Sequence, residues 1–150
     1  MTAEAKPVLI VGAGPTGMTA AMELARFGIS VRLIEKKTQP DTTSRAVGVQ
    51  ARTLELFAQR GLADEMLKVG HKGVAGSIYG GGKRVFRLDF SHVDSCYNYL
   101  FFVSQAETER ILRERLAWQG VEIERGVERF SITPINYRSK AGTYHLTLKI

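Results

Sequence analysis

The sequence predicts an α/β chain that opens on a parallel βαβ unit, and three observations carry that reading. An apolar run, Val8 to Val11, leads into glycines at Gly12, Gly14 and Gly17 in a G-x-G-x-x-G turn. Small and apolar residues then recur at helical spacing, at Ala20, Ala21, Leu24 and Ala25, until Gly28. A second apolar run containing Val31, Leu33 and Ile34 ends on an acid, Glu35. Strand, turn, helix and strand in about 30 residues make one complete βαβ unit.

Each part has a physical reason. Val8 to Val11 has the composition of a strand buried on both faces, as parallel strands are. Gly12 permits the tight turn out of the strand, Gly14 lets the backbone approach a pyrophosphate, and Gly17 lets the helix pack closely on the sheet. A helix that starts just after Gly14 aims its free N–H groups and the positive end of its dipole at that anion. Glu35, roughly 20 residues further on, stands where a carboxylate accepts hydrogen bonds from a ribose diol. Its charge argues against a 2′-phosphate and so against NADP in this pocket. Together these features predict a dinucleotide site, and their spacing does not separate FAD from NAD.

After the unit, Lys36 to Val47 reads as a polar excursion loop containing Pro40 and Thr42-Thr43-Ser44-Arg45. Ligands of open α/β sheets lie outside the carboxyl ends of the strands, so this loop starts beside the nucleotide. Position alone leaves Arg45 equally a phosphate contact or a surface arginine. Gln50 to Gln59 and Leu62 to Val69 read as short helices ending at Gly61 and Gly70. From Gly73 the texture changes. Val74, Ile78 and Tyr79, then Gly80-Gly81-Gly82, then Val85, Phe86, Leu88 and Phe90 predict two strands joined by a glycine turn. A hairpin inserted at that point marks the edge of a second domain. Ser104 and Glu107 form a capping box, after the apolar run Leu100 to Val103. Ile111, Leu112 and Leu116 supply the buried stripe of the helix that follows, and Gly120 closes it. Taken on position, Gln105 is a helix surface residue. Val121 to Ile123 predicts a third short strand, with Ile132 to Tyr137 and Tyr144 to Ile150 as further β segments. The last of these reaches Ile150 in mid-pattern.

Composition removes several function classes. At 44% hydrophobic the chain can bury a core. No apolar run approaches membrane-spanning length, and Met1 to Pro7 lacks the apolar core of a signal peptide. The single cysteine, Cys96, excludes an internal disulfide and fits a reducing cytoplasm; lying near aromatics, it is read as packing rather than as a nucleophile. A net charge of +6 invites a nucleic-acid reading. However, Glu107, Glu109, Glu114, Glu122, Glu124 and Glu128 interleave with Arg110, Arg113, Arg115, Arg125 and Arg129 as on a solvated face, and no basic block alternates with stacking aromatics. His71, His92 and His145 have no ligand partners at metal-site spacing, so no metal is expected. No G-x-S-x-G nucleophile arrangement is present.

Three stretches then carry a resemblance. VGAGPTGMTAAMELARFGISVRLIEKK, SRAVGVQARTLELFAQRGL and VSQAETERILRERL resemble, in order and spacing, the amino-terminal third of the FAD-dependent aromatic hydroxylases related to para-hydroxybenzoate hydroxylase. The relatives acting on phenols and polyketides look nearest. The resemblance runs from Pro7 to about Gly126. It implies a Rossmann-like FAD-binding βαβ fold with an inserted β-hairpin from the start of a substrate domain. The FAD-binding domain would be residues 1–70 and 100–150, incomplete, and residues 71–99 would begin the substrate-binding sheet.

By resemblance, Gly12, Gly14, Pro15, Thr16 and Gly17 would hold the pyrophosphate and Glu35 the adenosine ribose. Lys36, where many relatives have arginine, would lie beside the adenine, and Val127 would offer it backbone contacts. Arg45 would approach the phosphate and ribityl side of the flavin, and Gln105 the ribityl chain. The implied activity is hydroxylation of a small aromatic, phenolic or polyketide-like substrate with oxygen, NAD(P)H being a transient reductant. No side chain is assigned as catalytic acid or base. The segments that complete the flavin and substrate sites in relatives are missing, so the chain is expected to be an inactive fragment of a longer enzyme that binds FAD weakly. The alternatives are another FAD-dependent oxidoreductase, against which SRAVGVQARTLELF counts, and a non-catalytic nucleotide-binding module.

Overall fold

The computed structural model describes residues 6–40, 48–128, 132–134 and 146–148. In chain order the elements are β1 (Val8–Val11), α1 (Pro15–Arg26), β2 (Val31–Glu35), β3 (Gly48–Val49), α2 (Ala51–Ala58), α3 (Ala63–Val69) and β4 (His71–Gly73). They continue with β5 (Ala75–Gly80), β6 (Lys83–Asp89), β7 (Leu100–Phe102), α4 (Gln105–Trp118), β8 (Ile123–Arg125), β9 (Ile132–Pro134) and β10 (Leu146–Leu148). They fall into two compact units, one of Met1–Pro40 with Leu116–Ile150 and one of Asp41–Arg115.

In the first unit the predicted βαβ is present. β1, β2 and β8 form a parallel sheet in that order, with Val8 opposite Val31 and Leu33 opposite Ile123. α1 takes Gly14 as its N-cap and Pro15 as its first residue, where a missing N–H costs nothing. Gly28, at φ 72°, closes it, and the N–H groups of Gly28 and Ile29 bond back to the carbonyls of Ala25 and Leu24. β9 and β10 pair antiparallel.

Three expectations for this unit need correction. The buried stripe of α1 runs through Met18, Ala21 and Met22, and Ala20 is exposed. Gly17 pressed against the Gly12 carbonyl fixes the rotation of the helix, and the stripe follows from there. β1 is not covered on both faces, Val8 being 41% and Val11 59% exposed, and among the described residues it is an edge strand paired with β2 alone. The third strand starts two residues later than expected because the Val121 N–H is used to close α4 on Leu116.

In the second unit, β7 is the centre of an antiparallel sheet of order β3-β7-β4, and Phe101 is fully buried. β3 and β4 are too short to show an apolar pattern and were not foreseen. α2 and α3 are helices as predicted, with Leu54, Phe57 and Met66 buried. Gly70 ends α3 in extended backbone, and its bare Cα serves a close approach: a Cβ there would stand 2.2 Å from the Phe101 ring. The predicted hairpin is β5 with β6, turning at Gly81 and Gly82, both at positive φ. Both of its strands are exposed along their length. Cys96 is exposed, which overturns its reading as a packing residue.

α4 begins on the predicted cap, the Glu107 N–H donating to Ser104 Oγ at 3.2 Å, and buries Ile111, Leu112 and Leu116. Ser104→Ala should lower stability by about 1 kcal/mol, read as a drop in the urea midpoint; an unchanged midpoint would show that the cap contributes nothing. The idea that all the acids here lie on a solvated face is wrong for Glu109, which is 6% exposed. It stands four residues after Gln105 and three before Leu112, on the inward stripe of the helix. Among the described residues, no helix is long and apolar enough to cross a membrane.

Candidate functional site

The glycine turn of the first unit is built for an anion. Gly12 leaves β1 at φ 101° with its N–H on the Ile34 carbonyl (2.8 Å). Gly17 meets that turn so closely that a Cβ would lie 2.0 Å from the Gly12 carbonyl oxygen. Around Gly12 and Gly14 a Cβ would meet nothing within 4 Å, so the turn has open space beside its backbone. α1 starts there with no side-chain cap and no acid in its first turn. Thr16 and Gly17 therefore bring to that open space helix-start N–H groups that no side chain caps, an arrangement able to hold a pyrophosphate.

Glu35 ties this turn to the strand ends. One carboxylate oxygen, Oε2, accepts from the Ala13 N–H at 2.7 Å, and Oε1 accepts from the Lys37 N–H at 3.0 Å. Its main-chain carbonyl accepts from the Val127 N–H at 3.1 Å. Burial disfavours the ionised carboxylate, but the N–H groups of Lys37 and Ala13, with the charges of Arg125 and Lys37, outweigh burial and hold the carboxyl below its ordinary range. Glu35 is thus an anion at neutral pH, and each oxygen retains a lone pair for a ribose hydroxyl.

The structure gathers Gly12, Gly14, Pro15, Thr16, Gly17, Glu35, Lys36 and Val127 in the first unit. Lys36 is exposed and ion-paired with Glu128. The Val127 N–H is engaged by the Glu35 main-chain carbonyl, which leaves the Val127 carbonyl as its remaining backbone group. Arg45 lies outside the described residues. Gln105 belongs to the second unit, as the first residue of α4, with its Nε2 donating to Glu109 Oε1 at 2.7 Å. Two participants were not foreseen, the Ala13 N–H and Arg125. Arg125 acts on Glu35 through its charge because β8 pairs with β2 in the register Glu35–Arg125, which no local pattern announces. In the same pair of strands Arg32 makes a two-pronged contact with Glu124, at 2.7 and 2.8 Å, fastening that register.

Known proteins share this architecture. The chain is 42% identical over 141 residues to a 6-methylpretetramide 4-monooxygenase of Streptomyces rimosus, covering 93% of this chain and 25% of that protein. It is 40% identical over 121 residues to a rifampicin monooxygenase of Streptomyces venezuelae, covering 79% and 24%. Among solved structures, an anhydrotetracycline hydroxylase from Streptomyces rimosus superposes with a TM-score of 0.71 at 33% identity, over 95% of this chain and 28% of the other. The chain therefore spans about a quarter of the length of the curated relatives it matches. A model of the FAD binding domain matches residues 5–141, nearly the whole chain. On that match the chain belongs to the FAD-binding-domain family.

Proposed function

We propose that this chain is the FAD-binding part of a flavoprotein monooxygenase that hydroxylates an aromatic, phenolic or polyketide-like small molecule with NAD(P)H and oxygen. The observation that carries the reading is the pairing of an uncapped helix start over open glycine backbone with an ionised Glu35 bonded to the same turn through Ala13. A diphosphate suits the first and a ribose diol the second. The reaction class rests on the relatives, which are named as monooxygenases of 6-methylpretetramide and rifampicin. The flavin, when bound, supplies the redox chemistry, and this chain binds and orients it.

In this reading Gly12, Gly14, Pro15, Thr16 and Gly17 line the pyrophosphate, and Glu35 takes the adenosine ribose. Lys36 and the Val127 carbonyl lie beside adenine, Arg45 meets the phosphate and ribityl side, and Gln105 meets the ribityl chain. Residues 1–70 and 100–150 serve the cofactor, and residues 71–99 begin a substrate-binding sheet. The exposed apolar side chains Ile78, Phe86 and Leu88 on the β5–β6 hairpin support that assignment, since a two-stranded ribbon needs a cover to be stable. The lone cysteine supports a cytoplasmic site of action.

The test is a titration of the chain with FAD and with ADP, followed by ¹H–¹⁵N correlation spectra, alongside an NAD(P)H oxidation assay. Weak saturable FAD binding, competed by ADP and centred on residues 12–17 and 35–37, is expected, with no NAD(P)H turnover. No response at millimolar FAD would overturn the cofactor reading. NAD(P)H turnover by the 150 residues alone would overturn the division of labour proposed here.

A further inference from the structure

We infer that Arg125 is a specificity-determining residue of the nucleotide site, its guanidinium offsetting the fixed charge of Glu35 so that an anionic nucleotide is held beside a carboxylate. The inference rests on the nucleotide reading of the glycine turn and Glu35 proposed above, and every residue in it belongs to the first unit. Two demands on this site oppose each other. Glu35 is an anion bonded to the Ala13 N–H, within the same turn whose backbone is open to a diphosphate. A carboxylate there suits a ribose diol, but it also repels the phosphates that the ribose carries.

Strand register places a counter-charge. Glu35 and Arg125 are partners at the carboxyl ends of β2 and β8, so alternation puts both side chains on one face of the sheet. They stand at the end of the strands outside which ligands of such sheets bind. Arg32 stands on the opposite face, where Glu124 engages it at 2.7 and 2.8 Å. Arg125 has no ion pair among the described residues, because the Glu35 oxygens are turned to the N–H groups of Ala13 and Lys37 instead. Burial works against the Glu35 charge; after those two N–H groups, the charge of Arg125 helps to sustain it. Two lysines lie close by and are less suited to the task. Lys36 is paired with Glu128. Lys37 also acts on Glu35, but from an exposed loop where solvent and salt screen it, whereas Arg125 is half-buried in its strand.

The test titrates ADP and adenosine into the wild-type chain and into Arg125→Gln, Arg125→Lys and Arg26→Gln, followed by ¹H–¹⁵N correlation spectra at low ionic strength. Adenosine carries the ribose diol and no phosphate, so it reports the site without the anion. Arg125→Gln is expected to weaken ADP binding about tenfold and to leave adenosine within about twofold of wild type. Arg125→Lys keeps the charge and should hold ADP within about threefold of wild type. Arg26→Gln removes the same charge at the far end of α1, about 16 Å along the helix, and should change neither ligand by more than about twofold. Arg125→Met, which keeps the apolar stem, repeats the measurement should glutamine disturb β8. Equal weakening of ADP and adenosine by Arg125→Gln and Arg125→Met would overturn the inference in favour of a structural role in β8. Unchanged ADP binding in both would overturn it while leaving the nucleotide reading of the turn standing. An equal loss of ADP affinity in Arg26→Gln would assign the effect to net charge and overturn it as well. Failure of ADP to bind the wild-type chain would overturn the nucleotide reading and the inference with it.

Discussion

Gly17→Ala is expected to lower stability by about 3 kcal/mol or more, the upper end of what overpacking costs, and to reduce Tm by about 10 °C for a chain of this size. The Cβ would stand 2.0 Å from the Gly12 carbonyl oxygen, and that atom is backbone, unable to swing aside as a side chain would. Relief requires α1 to move off β1, which unpacks Met18, Ala21 and Met22 from their buried positions. Gly14→Ala is the contrasting case. Gly14 has φ −77°, which alanine adopts freely, and its Cβ would meet nothing within 4 Å. Its effect on stability should stay below about 1 kcal/mol, the difference between glycine and alanine at a helix N-cap. The methyl group would instead stand in the space through which a pyrophosphate approaches, so FAD and ADP should both bind more than about tenfold more weakly. Circular dichroism melts and ligand titrations of the two variants check this. A Gly17→Ala chain melting with wild type would show that Gly17 does not set the packing of α1, and a Gly14→Ala chain binding ADP normally would show that the turn is not the site.

Glu35→Gln should impair both the turn and the ligand. A carboxamide has one accepting oxygen, so either the Ala13 or the Lys37 N–H loses its acceptor and faces an NH₂ group instead. Since Ala13 is buried, that loss should cost about 1–3 kcal/mol of stability at neutral pH. FAD and ADP affinity should fall roughly tenfold to a hundredfold, the value of a hydrogen bond to a charged acceptor. The pH dependence follows from the depressed pKa of Glu35 in the folded chain. A carboxyl with a lower pKa folded than unfolded contributes its full stabilisation above the unfolded value, about 4.3, and loses it as pH falls through the folded value. The stability advantage of wild type over Glu35→Gln is therefore expected to be constant from neutral pH down to about pH 5 and to shrink below that. Urea midpoints of the pair across that range measure it. An advantage that did not change on acidification would mean that the Glu35 charge plays no part in holding the turn.

Much of the fold was legible because its signals are local. The G-x-G-x-x-G turn, the glycine that ends α1, the Ser104 cap and the glycine turn between β5 and β6 each lie within a few residues, and each limits the backbone by sterics or by one hydrogen bond. The rotation of α1 is not legible in the helical recurrence of Ala20, Ala21, Leu24 and Ala25, of which Ala21 is buried and Ala20 exposed. The packing face is set instead by where Gly17 meets Gly12, and methionines fill the space beside it. Glu109 was misread for a related reason: a run of alternating charges looks solvated until the helix period is laid over it, and then one acid falls in line with Leu112 and Leu116.

The sequence by itself determined the βαβ unit, the G-x-G-x-x-G turn, the hairpin and the family, because these depend on residue types at fixed short spacings. Only the tertiary structure decided that the Glu35 carboxylate is shared with the Ala13 and Lys37 N–H groups, and that its main-chain carbonyl engages Val127. It also decided that Arg125 lies opposite Glu35, that β3 and β4 flank β7, and that Glu109 is buried against Gln105. Most of these contacts join residues far apart in the chain, and Glu109 depends on which side of α4 is covered. Strand register and helix rotation are set by the packing of whole elements, which no short stretch of sequence contains.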